Sequence, residues 1–373
     1  MKFTIESQLL TTVLQDLAKA VPAKPALPIL SNYLFELNQG LVRITASDGE
    51  IALRGVVKPD ESDDKGRTTI PAKILLELMR TLPGGPVTLE QKADSVQVRW
   101  GTGDSVLPVF DAEDYIKIAV PEKDKAKSFS TTTDILTKAI AKTVFAVGTD
   151  EVRPALCGIF FDIRPATSYI VASDARKLVV HALETPEVAE ESSFILPTKA
   201  ATILKGILPK EQPVTIVSDG NNARFAFGST ELTTRLVVGK YPKYRTIIPT
   251  TNSNVLTASR ETLLNVLRRM AVFADKQATL VKAKISFNLL TMTAEDLGLG
   301  VRGAEKAECD YDGNDILIGL NASVVTDVLS TISASEVEIR LSDERHAILI
   351  QPAPDERKDE PYEAVVMPYN LNK

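Results

Sequence analysis

The sequence predicts an α+β protein made of three tandem repeats of one domain, each with two helices packed on antiparallel sheet. Three observations support this class. An amphipathic helix recurs at a period of about 125 residues, a second helix recurs with it, and short strands alternate with both. Solenoid repeats are only roughly 20 to 50 residues long. The longer period therefore indicates repetition of whole domains.

The first helix of each copy carries apolar or small residues with the spacing of one helical face. These stripes begin at Leu10, Leu136 and Leu263, which are 126 and 127 residues apart. We therefore predict the same amphipathic helix near the start of all three copies.

A second helix and the strands around it repeat in the same order. The stripes of this helix begin at Leu75, Ala201 and Val325, and a β-branched strand follows each of them after Pro, Gly or Ser. Between the two helices of each copy we predict strand pairs around polar turns, near Ser47, Ser173 and Glu295.

Two stretches poor in apolar residues indicate the domain boundaries. PEKDKAK at 121–127 is strongly charged, and PTTNSN at 249–254 is rich in turn-forming residues. We therefore predict domains at 1–122, 128–249 and 254–373.

Composition indicates a globular protein of a reducing compartment. The chain has 373 residues, of which 44% are hydrophobic, so it can bury several cores. Its apolar runs are shorter than the roughly 20 residues that cross a bilayer, and the start MKFTIESQLL lacks the apolar core of a signal peptide. Cys157 and Cys309 lie far apart in sequence. We expect a cytoplasmic protein that makes no membrane contact.

Tandem copies of one domain favour a closed ring. Such copies tend to meet through one heterologous contact, which either closes or continues as a filament. Pairing of sheet edges between neighbours removes the open edges that invite aggregation, and it places all helices on one side. The net charge of -6 does not exclude DNA inside such a ring, because a sum hides how the charge is distributed.

Several cations lie on the helices outside the apolar stripes. Lys73 and Lys199 occupy equivalent positions, as do Lys142 and Arg269, whereas Asp16 stands where the other copies carry a base. These cations fit a DNA-facing layer of helices and an ordinary solvated helix surface equally well. The candidate set is Lys73, Arg80, Lys138, Lys142, Lys199, Lys205, Arg268 and Arg269.

The sequence closely resembles the bacterial DNA polymerase sliding clamps, the beta subunits of replicative polymerases, over essentially the whole chain. The most specific segments are KPALPILSN at 24–32, TIPAK at 69–73, EVRPALCGIFF at 151–161, ASDARKLVV at 172–180, YPKYRTIIP at 241–249 and VVMPYNL at 365–371. The resemblance implies DNA-clamp domains in a head-to-tail homodimer, a closed ring whose helices line a central hole around duplex DNA. It also implies DNA polymerase subunits, a clamp loader and other proteins with clamp-binding motifs as partners.

The resemblance further implies an apolar pocket between the second and third domains, which accepts a short peptide from each partner. Aliphatic and Met side chains suit a site that takes several related peptides. Ala175 replaces the usual Gly of the family, Arg176 a frequent His, and Asn370 a frequent Arg. Carried over by position, the pocket comprises Leu156, Ser173, Arg176, Leu178, Pro242, Ile247, Val365, Val366, Met367, Pro368, Tyr369 and Leu371.

The resemblance also assigns residues to the DNA and to the dimer seam. Lys24 lies in a loop that the family turns towards the duplex, where it and the helix cations would contact phosphates without reading bases. At the seam, Val272 and Phe273 match an apolar pair, which should meet Leu107 and its neighbours on the other subunit.

The residues do not favour a catalytic or metal-dependent function. The two histidines, His181 and His346, lie in different copies and away from any nucleophile motif. The segment CDYDGNDIL at 309–317 lacks the terminal Glu of a calcium loop and runs into a strand. We therefore predict no catalytic residue, no metal site and no cofactor. The remaining alternative is a tandem-domain scaffold that never closes into a ring.

Overall fold

A computed structural model of the chain describes residues 1–165, 167–183, 188 and 190–371. Its helices and strands follow the predicted repeat. The first copy contains β1 (Lys2–Glu6), α1 (Ser7–Leu17), β2 (Asn32–Asn38), β3 (Leu41–Ser47), β4 (Ile51–Val57), β5 (Glu61–Ser62), β6 (Lys65–Pro71), α2 (Ala72–Thr81), β7 (Pro86–Gln91), β8 (Ser95–Trp100) and β9 (Gly103–Pro108).

Among the residues that the structure describes, the second and third copies repeat this order with no counterpart of the short β5. The second copy contains β10 (Lys127–Thr132), α3 (Thr133–Thr143), β11 (Gly158–Ile163), β12 (Ser168–Ser173), β13 (Lys177–Leu183), β14 (Ser192–Pro197), α4 (Thr198–Ile207), β15 (Pro213–Ser218), β16 (Asn222–Phe227) and β17 (Thr230–Arg235). The third contains β18 (Asn254–Ser259), α5 (Arg260–Ala271), β19 (Leu280–Ser286), β20 (Leu289–Asp296), β21 (Val301–Glu308), β22 (Ile316–Asn321), α6 (Ala322–Thr331), β23 (Glu336–Leu341), β24 (Ile348–Pro352) and β25 (Tyr362–Val366). Short 3-10 helices occur at Ala18–Ala20, Pro28–Ser31, Ala112–Asp114, Val144–Ala146, Pro154–Leu156 and Tyr244–Thr246.

The predicted amphipathic helices are confirmed. The first helices begin at Ser7, Thr133 and Arg260, so they keep the spacings of 126 and 127 residues seen in the sequence. In α1 the stripe residues Leu10 and Leu14 are fully buried, because one helical face turns towards the sheet.

The strands form antiparallel sheets within two compact units of the described chain. One unit comprises 1–137 and 199–236 and holds two sheets, with strand orders β5-β1-β7-β8-β9 and β10-β15-β16-β17-β4-β3-β2-β6. The other comprises 138–198 and 237–373 and holds β14-β11-β12-β13-β25-β24-β23-β18 and β21-β20-β19-β22. Each eight-stranded sheet therefore joins strands of two consecutive copies.

Each unit buries its helix stripes against these sheets. In the first unit, Tyr33 of β2 is fully buried and donates its hydroxyl hydrogen to the Leu14 carbonyl at 2.9 Å, which ties α1 to the sheet. In the second unit, Leu263 of α5 and Val325 of α6 share one apolar core with Tyr362 of β25. The layered α+β arrangement predicted from the helix stripes is therefore confirmed.

Candidate functional site

A second apolar cluster lies in the 138–198 and 237–373 unit and forms the floor of the candidate partner cleft. Leu178 of β13 and Val365 of β25 face each other across neighbouring strands, and Leu156 at the end of a 3-10 helix packs with them. The cluster also contains Val171, Val180, Ile195, Tyr241, Tyr244 and Leu349. Three of the predicted pocket residues thus share one buried surface.

Val366 does not belong to this surface. Successive strand residues point to opposite faces of a sheet, so Val366 turns away from its neighbour Val365. It lies in the core beneath α5 and α6 and is 1% exposed. The side chain of Val366 is therefore a core residue, and its inclusion in the pocket is corrected.

A tight turn at 173–177 forms one rim of the cleft. The Ser173 hydroxyl donates to the Lys177 carbonyl at 2.7 Å and accepts the Ala175 N–H at 3.1 Å. Ala175 has a φ of 71°, in the left-handed region that favours glycine, and Gly49 at the equivalent turn has a φ of 97°. Ala175 therefore holds a backbone conformation that glycine adopts more readily.

Arg176 carries an unpaired cation on this rim. Its neighbours are neutralised, since Arg153 pairs with Asp150 at 3.0 Å and Lys177 pairs with Asp174 at 2.6 Å. Burial alone would raise the pKa of Asp174, but hydrogen bonds from Lys177 and from backbone N–H groups lower it below its ordinary value. No side chain in the described part of the chain forms an ion pair with the Arg176 guanidinium. Arg176 lines a polar cavity of about 350 Å³, which Leu156 also lines.

The segment that follows the second copy packs on β11 and forms a second part of the rim. The Tyr241 ring stacks on Phe160 with 4.6 Å between ring centroids, and the Tyr244 hydroxyl donates to the Asp162 carboxylate at 2.6 Å. These contacts hold the segment in place and leave Pro242 and Ile247 exposed beside the apolar floor. Both predicted residues are thus accessible in the monomer.

The C-terminal tail completes the cleft. The Met367 N–H donates to the Arg176 carbonyl at 2.9 Å, so the tail begins beside the rim turn. The Met367 side chain is 48% exposed, whereas Pro368, Tyr369 and Leu371 are partly buried. The structure thus brings the tail to the rim that carries Arg176.

Sequence reasoning missed Tyr241, Tyr244 and the strand residues of the floor. The two tyrosines flank Pro242 in the segment YPKYRTIIP, so the motif contained the signal. Val171, Ile195 and Leu349 had no such signal, since each lies in an apolar strand whose cleft-facing side depends on the sheet.

Most of the candidate DNA-binding cations are exposed. Lys73 and Arg80 lie at the two ends of α2, and Lys205 lies near the end of α4. Two of the set are already paired, Lys199 with Asp48 and Arg269 with Glu305 at 2.5 Å. The exposed cations for which the described residues supply no ion-pair partner are Lys24, Lys73, Arg80, Lys138, Lys205 and Arg268.

Lys142 is not a surface cation. Its residue is 4% exposed, and its ammonium contacts the Glu360 carboxylate and donates to the Thr331 carbonyl at 2.9 Å. Glu360 in turn accepts the N–H groups of Ser333 and Ala334. The buried ammonium cannot reach a phosphate, so the prediction that Lys142 binds DNA is corrected.

The three candidate seam residues differ in exposure. Val272 is 76% exposed, and the Phe273 ring lies over Gly303 of β21. Leu107 of β9 is buried within its own domain, whereas its neighbour Val106 is 63% exposed on the same edge strand. The assignment of Leu107, Val272 and Phe273 to a seam stays a prediction; in the single chain, Val106 rather than Leu107 is open to solvent on β9.

No helix in the described ranges is both long and apolar enough to cross a membrane. Within the same ranges, no group of three or more His, Cys, Asp or Glu side chains could hold a metal ion.

Comparison with known families matches the chain in three consecutive segments. Residues 1–119 match the N-terminal domain of the DNA polymerase III beta subunit, residues 130–243 its central domain, and residues 245–370 its C-terminal domain.

Full-length relatives and solved structures agree with this match. The beta sliding clamp of Vibrio cholerae serotype O1 is 29% identical over 373 residues, which cover 100% of both chains. A sliding clamp from Pseudomonas aeruginosa bound to griselimycin has a TM-score of 0.93 at 26% identity, again over 100% of both chains. The beta subunit from Thermotoga maritima has a TM-score of 0.90 at 26% identity over 99% of both chains.

Proposed function

The chain belongs to the DNA polymerase III beta subunit family and serves as a sliding clamp, a processivity factor for the replicative polymerase; on this premise we propose that two copies close into a ring around duplex DNA. The observation that carries the proposal is a strand joint that occurs twice within the chain.

In each joint, the last strand of one copy pairs with the fourth strand of the copy before it. β17 pairs with β4, with Leu232 opposite Leu53, and β25 pairs with β13, with Ala364 opposite Val179. The corresponding strands that have no such joint are β9 and β21, and each is the edge strand of its sheet. A third joint of the same kind, made by β9 of one chain and β21 of the other, occurs twice in a two-chain ring, and so closes the assembly and covers all four of these edges.

The internal repeat also supplies the register of this third joint. The hairpin pair Trp100 and Gly103 corresponds to Phe227 and Thr230, so Ser105 stands in the place of Leu232. The turn motifs Ala46-Ser47-Asp48 and Ala294-Glu295-Asp296 align in sequence, which makes the Glu295–Arg302 pair the equivalent of the Ser47–Ala52 pair. Gly303 then stands in the place of Leu53. We therefore place Ser105 opposite Gly303 across the seam, and Asp104 opposite Ala304.

The helices then face the duplex with their unpaired cations. Such side chains attract phosphates without reading bases, which suits a protein that slides. The proposed DNA surface comprises Lys24, Lys73, Arg80, Lys138, Lys205 and Arg268. Lys199 and Arg269 can contact phosphates as well when their ion pairs with Asp48 and Glu305 break.

The cleft floored by Leu156, Leu178 and Val365 is the proposed docking site for partner peptides. It combines an apolar floor with one unpaired cation, Arg176, and an exposed Met367, the mixture that lets one site accept several related peptides. We propose DNA polymerase subunits, a clamp loader and other proteins with clamp-binding motifs as its occupants. Because a related clamp from Pseudomonas aeruginosa was solved with griselimycin bound, griselimycin is a suitable probe of this cleft.

The remaining assignments follow from this role. We propose that the chain performs no catalytic step, requires no cofactor and works in the cytoplasm, where the replicated chromosome lies. We also propose the domain boundaries 1–122, 128–249 and 254–373, close to the three matched segments.

A topological experiment tests encirclement. The protein is loaded on nicked circular DNA, washed at about 0.5 M salt, which removes proteins held by phosphate contacts alone, and the DNA is then linearised. We expect the protein to stay on the circle and to leave the linear form. Equal retention on both forms contradicts the ring and favours the scaffold that never closes, as does a monomer by light scattering.

A further inference from the structure

We propose that Tyr369 is a positioning residue for the partner cleft. Its hydroxyl holds the C-terminal tail against the start of α6 in the same domain, and so fixes the wall that a partner peptide contacts. This inference rests on the proposed function, since it assigns a role within the cleft proposed to bind partners.

The Tyr369 hydroxyl has both a donor and an acceptor role. It donates to the Ala278 carbonyl at 2.8 Å and accepts a hydrogen bond from the Asn321 Nδ2 at 3.0 Å. Asn321 is itself fixed, because its Oδ1 caps α6 by accepting the Val324 N–H at 2.9 Å and also accepts the Thr279 hydroxyl at 3.0 Å. The latch therefore joins the tail to the start of α6.

Backbone contacts hold the tail on both sides of Pro368. The Met367 N–H bonds to the Arg176 carbonyl, and the Tyr369 N–H donates to the Gly319 carbonyl of β22 at 2.8 Å. The proline ring fixes one backbone angle between these two points. The exposed Met367 side chain thus stands between two anchors, although chain ends are usually disordered unless they dock.

The tail also lies directly on β22. A Cβ atom at Gly319 would stand 2.8 Å from the Leu371 Cδ2 and 3.0 Å from the Tyr369 Cβ. The Leu371 Cδ2 is the end of a flexible side chain and can turn aside, but the Tyr369 Cβ and carbonyl oxygen, both 3.0 Å away, move only with the tail backbone. A methyl group at position 319 therefore displaces the tail by a few tenths of an ångström. Gly319 and the groups that bind the Tyr369 hydroxyl therefore form one docking site for the tail.

This arrangement matters for binding because a tail that is already ordered loses less conformational entropy when a peptide binds. A tail that is free before binding loses conformational entropy when a peptide arrives, and that loss reduces the affinity. The latch removes this loss in advance. It does so through a hydroxyl, which a substitution can delete without changing the Tyr369 Cβ and carbonyl oxygen that lie beside Gly319.

The test compares Tyr369→Phe with the unaltered full-length dimer, with griselimycin as the probe and calorimetry as the binding measurement. We expect Kd to rise about threefold to tenfold, the effect of losing one or two neutral hydrogen bonds. Amide hydrogen exchange in 367–371 should become faster, while the melting temperature and the dimer stay unchanged. Gly319→Ala should weaken binding in the same direction, because it displaces the tail by a different route.

Tyr311→Phe is the matched control. It deletes a hydroxyl in the same copy that donates to the Asn314 carbonyl at 2.6 Å and not to a group of the tail, so binding should not change. Wild-type affinity in Tyr369→Phe together with weakened binding in Met367→Ala overturns the latch and leaves the cleft standing. If the unaltered protein fails to bind griselimycin, and deletion of 367–373 leaves polymerase stimulation unchanged, the cleft itself is wrong and the latch falls with it.

Discussion

At the scale of single residues, His181 makes the stability of the fold depend on pH. Its ring lies in β13 and is 5% exposed. Burial, with the nearby Lys142 and Lys138 charges, lowers the pKa of His181 from 6.5 to about 4. The folded protein therefore keeps this side chain neutral at pH values where the unfolded chain protonates it.

We predict that His181 reduces stability as the pH falls from 6.5 to 4. In that window the unfolded chain binds one proton more than the folded protein. The free energy of unfolding therefore decreases by up to about 3 kcal/mol as the pH is lowered from 6.5 to 4. Chemical denaturation at pH 7 and pH 4.5 measures this difference. His181→Gln should reduce it by about 2 kcal/mol, because the glutamine amide takes up no proton in this range. An unchanged difference in His181→Gln contradicts the assignment.

The buried Lys142 and Glu360 pair gives a second prediction at this scale. Lys142→Met leaves the Glu360 carboxylate buried without its cation, which should cost about 3 kcal/mol of unfolding free energy. Lys138→Met, on the exposed face of the same helix, should change it by less than about 0.5 kcal/mol. Adding Glu360→Gln to Lys142→Met should recover part of the loss in urea denaturation. Equal effects of the two lysine variants would show that the pair contributes nothing.

At the scale of helices and strands, the repeat in the sequence was sufficient to predict the order and placement of elements. The stripe spacing located α1, α3 and α5, because only a helix buries residues at that period. The faces of the strands were not predictable. Leu107 and Val366 turn inward because strand residues alternate, and a one-residue change of register reverses every side chain.

The candidate site was predictable to the extent that it lies in contiguous motifs. The tail and the turn around Arg176 are such motifs, and the structure brings them together through the bond from Met367. The burial of Lys142 was not predictable, because Glu360 lies 218 residues away in sequence. Helix spacing alone does not distinguish Lys142 from a lysine on the exposed face of the helix.

The proposed seam register yields a prediction at the element scale. In a background without Cys157 and Cys309, Asp104→Cys combined with Ala304→Cys should form a disulfide between subunits, because directly opposite strand residues have Cβ atoms about 5 Å apart. Non-reducing electrophoresis after mild oxidation should show a covalent dimer.

The control for this prediction shifts one cysteine along the same strand. Asp104→Cys combined with Lys306→Cys is two residues out of register, so it should crosslink at least tenfold more slowly. Faster crosslinking of this pair than of the 104 and 304 pair would contradict the register deduced from the repeat.

At the scale of the whole molecule, affinity for DNA and retention on DNA have different causes. Phosphate contacts supply affinity that falls steeply with salt, whereas a closed ring is retained by topology at any salt that preserves the dimer. A net charge of -6 is compatible with this division, because few cations need to face the duplex.

We therefore predict that removal of helix cations separates the two properties. Lys73→Glu with Arg268→Glu should reduce binding to short linear duplex at about 50 mM salt by roughly tenfold, since two phosphate contacts are lost. Retention of loaded protein on circular DNA at about 0.5 M salt should not change. Lys117→Glu with Lys358→Glu, two exposed cations outside the helices, is the control with equal charge change. If the helix variant also escapes from circles at high salt while its dimer is intact, phosphate contacts rather than closure hold the protein on DNA.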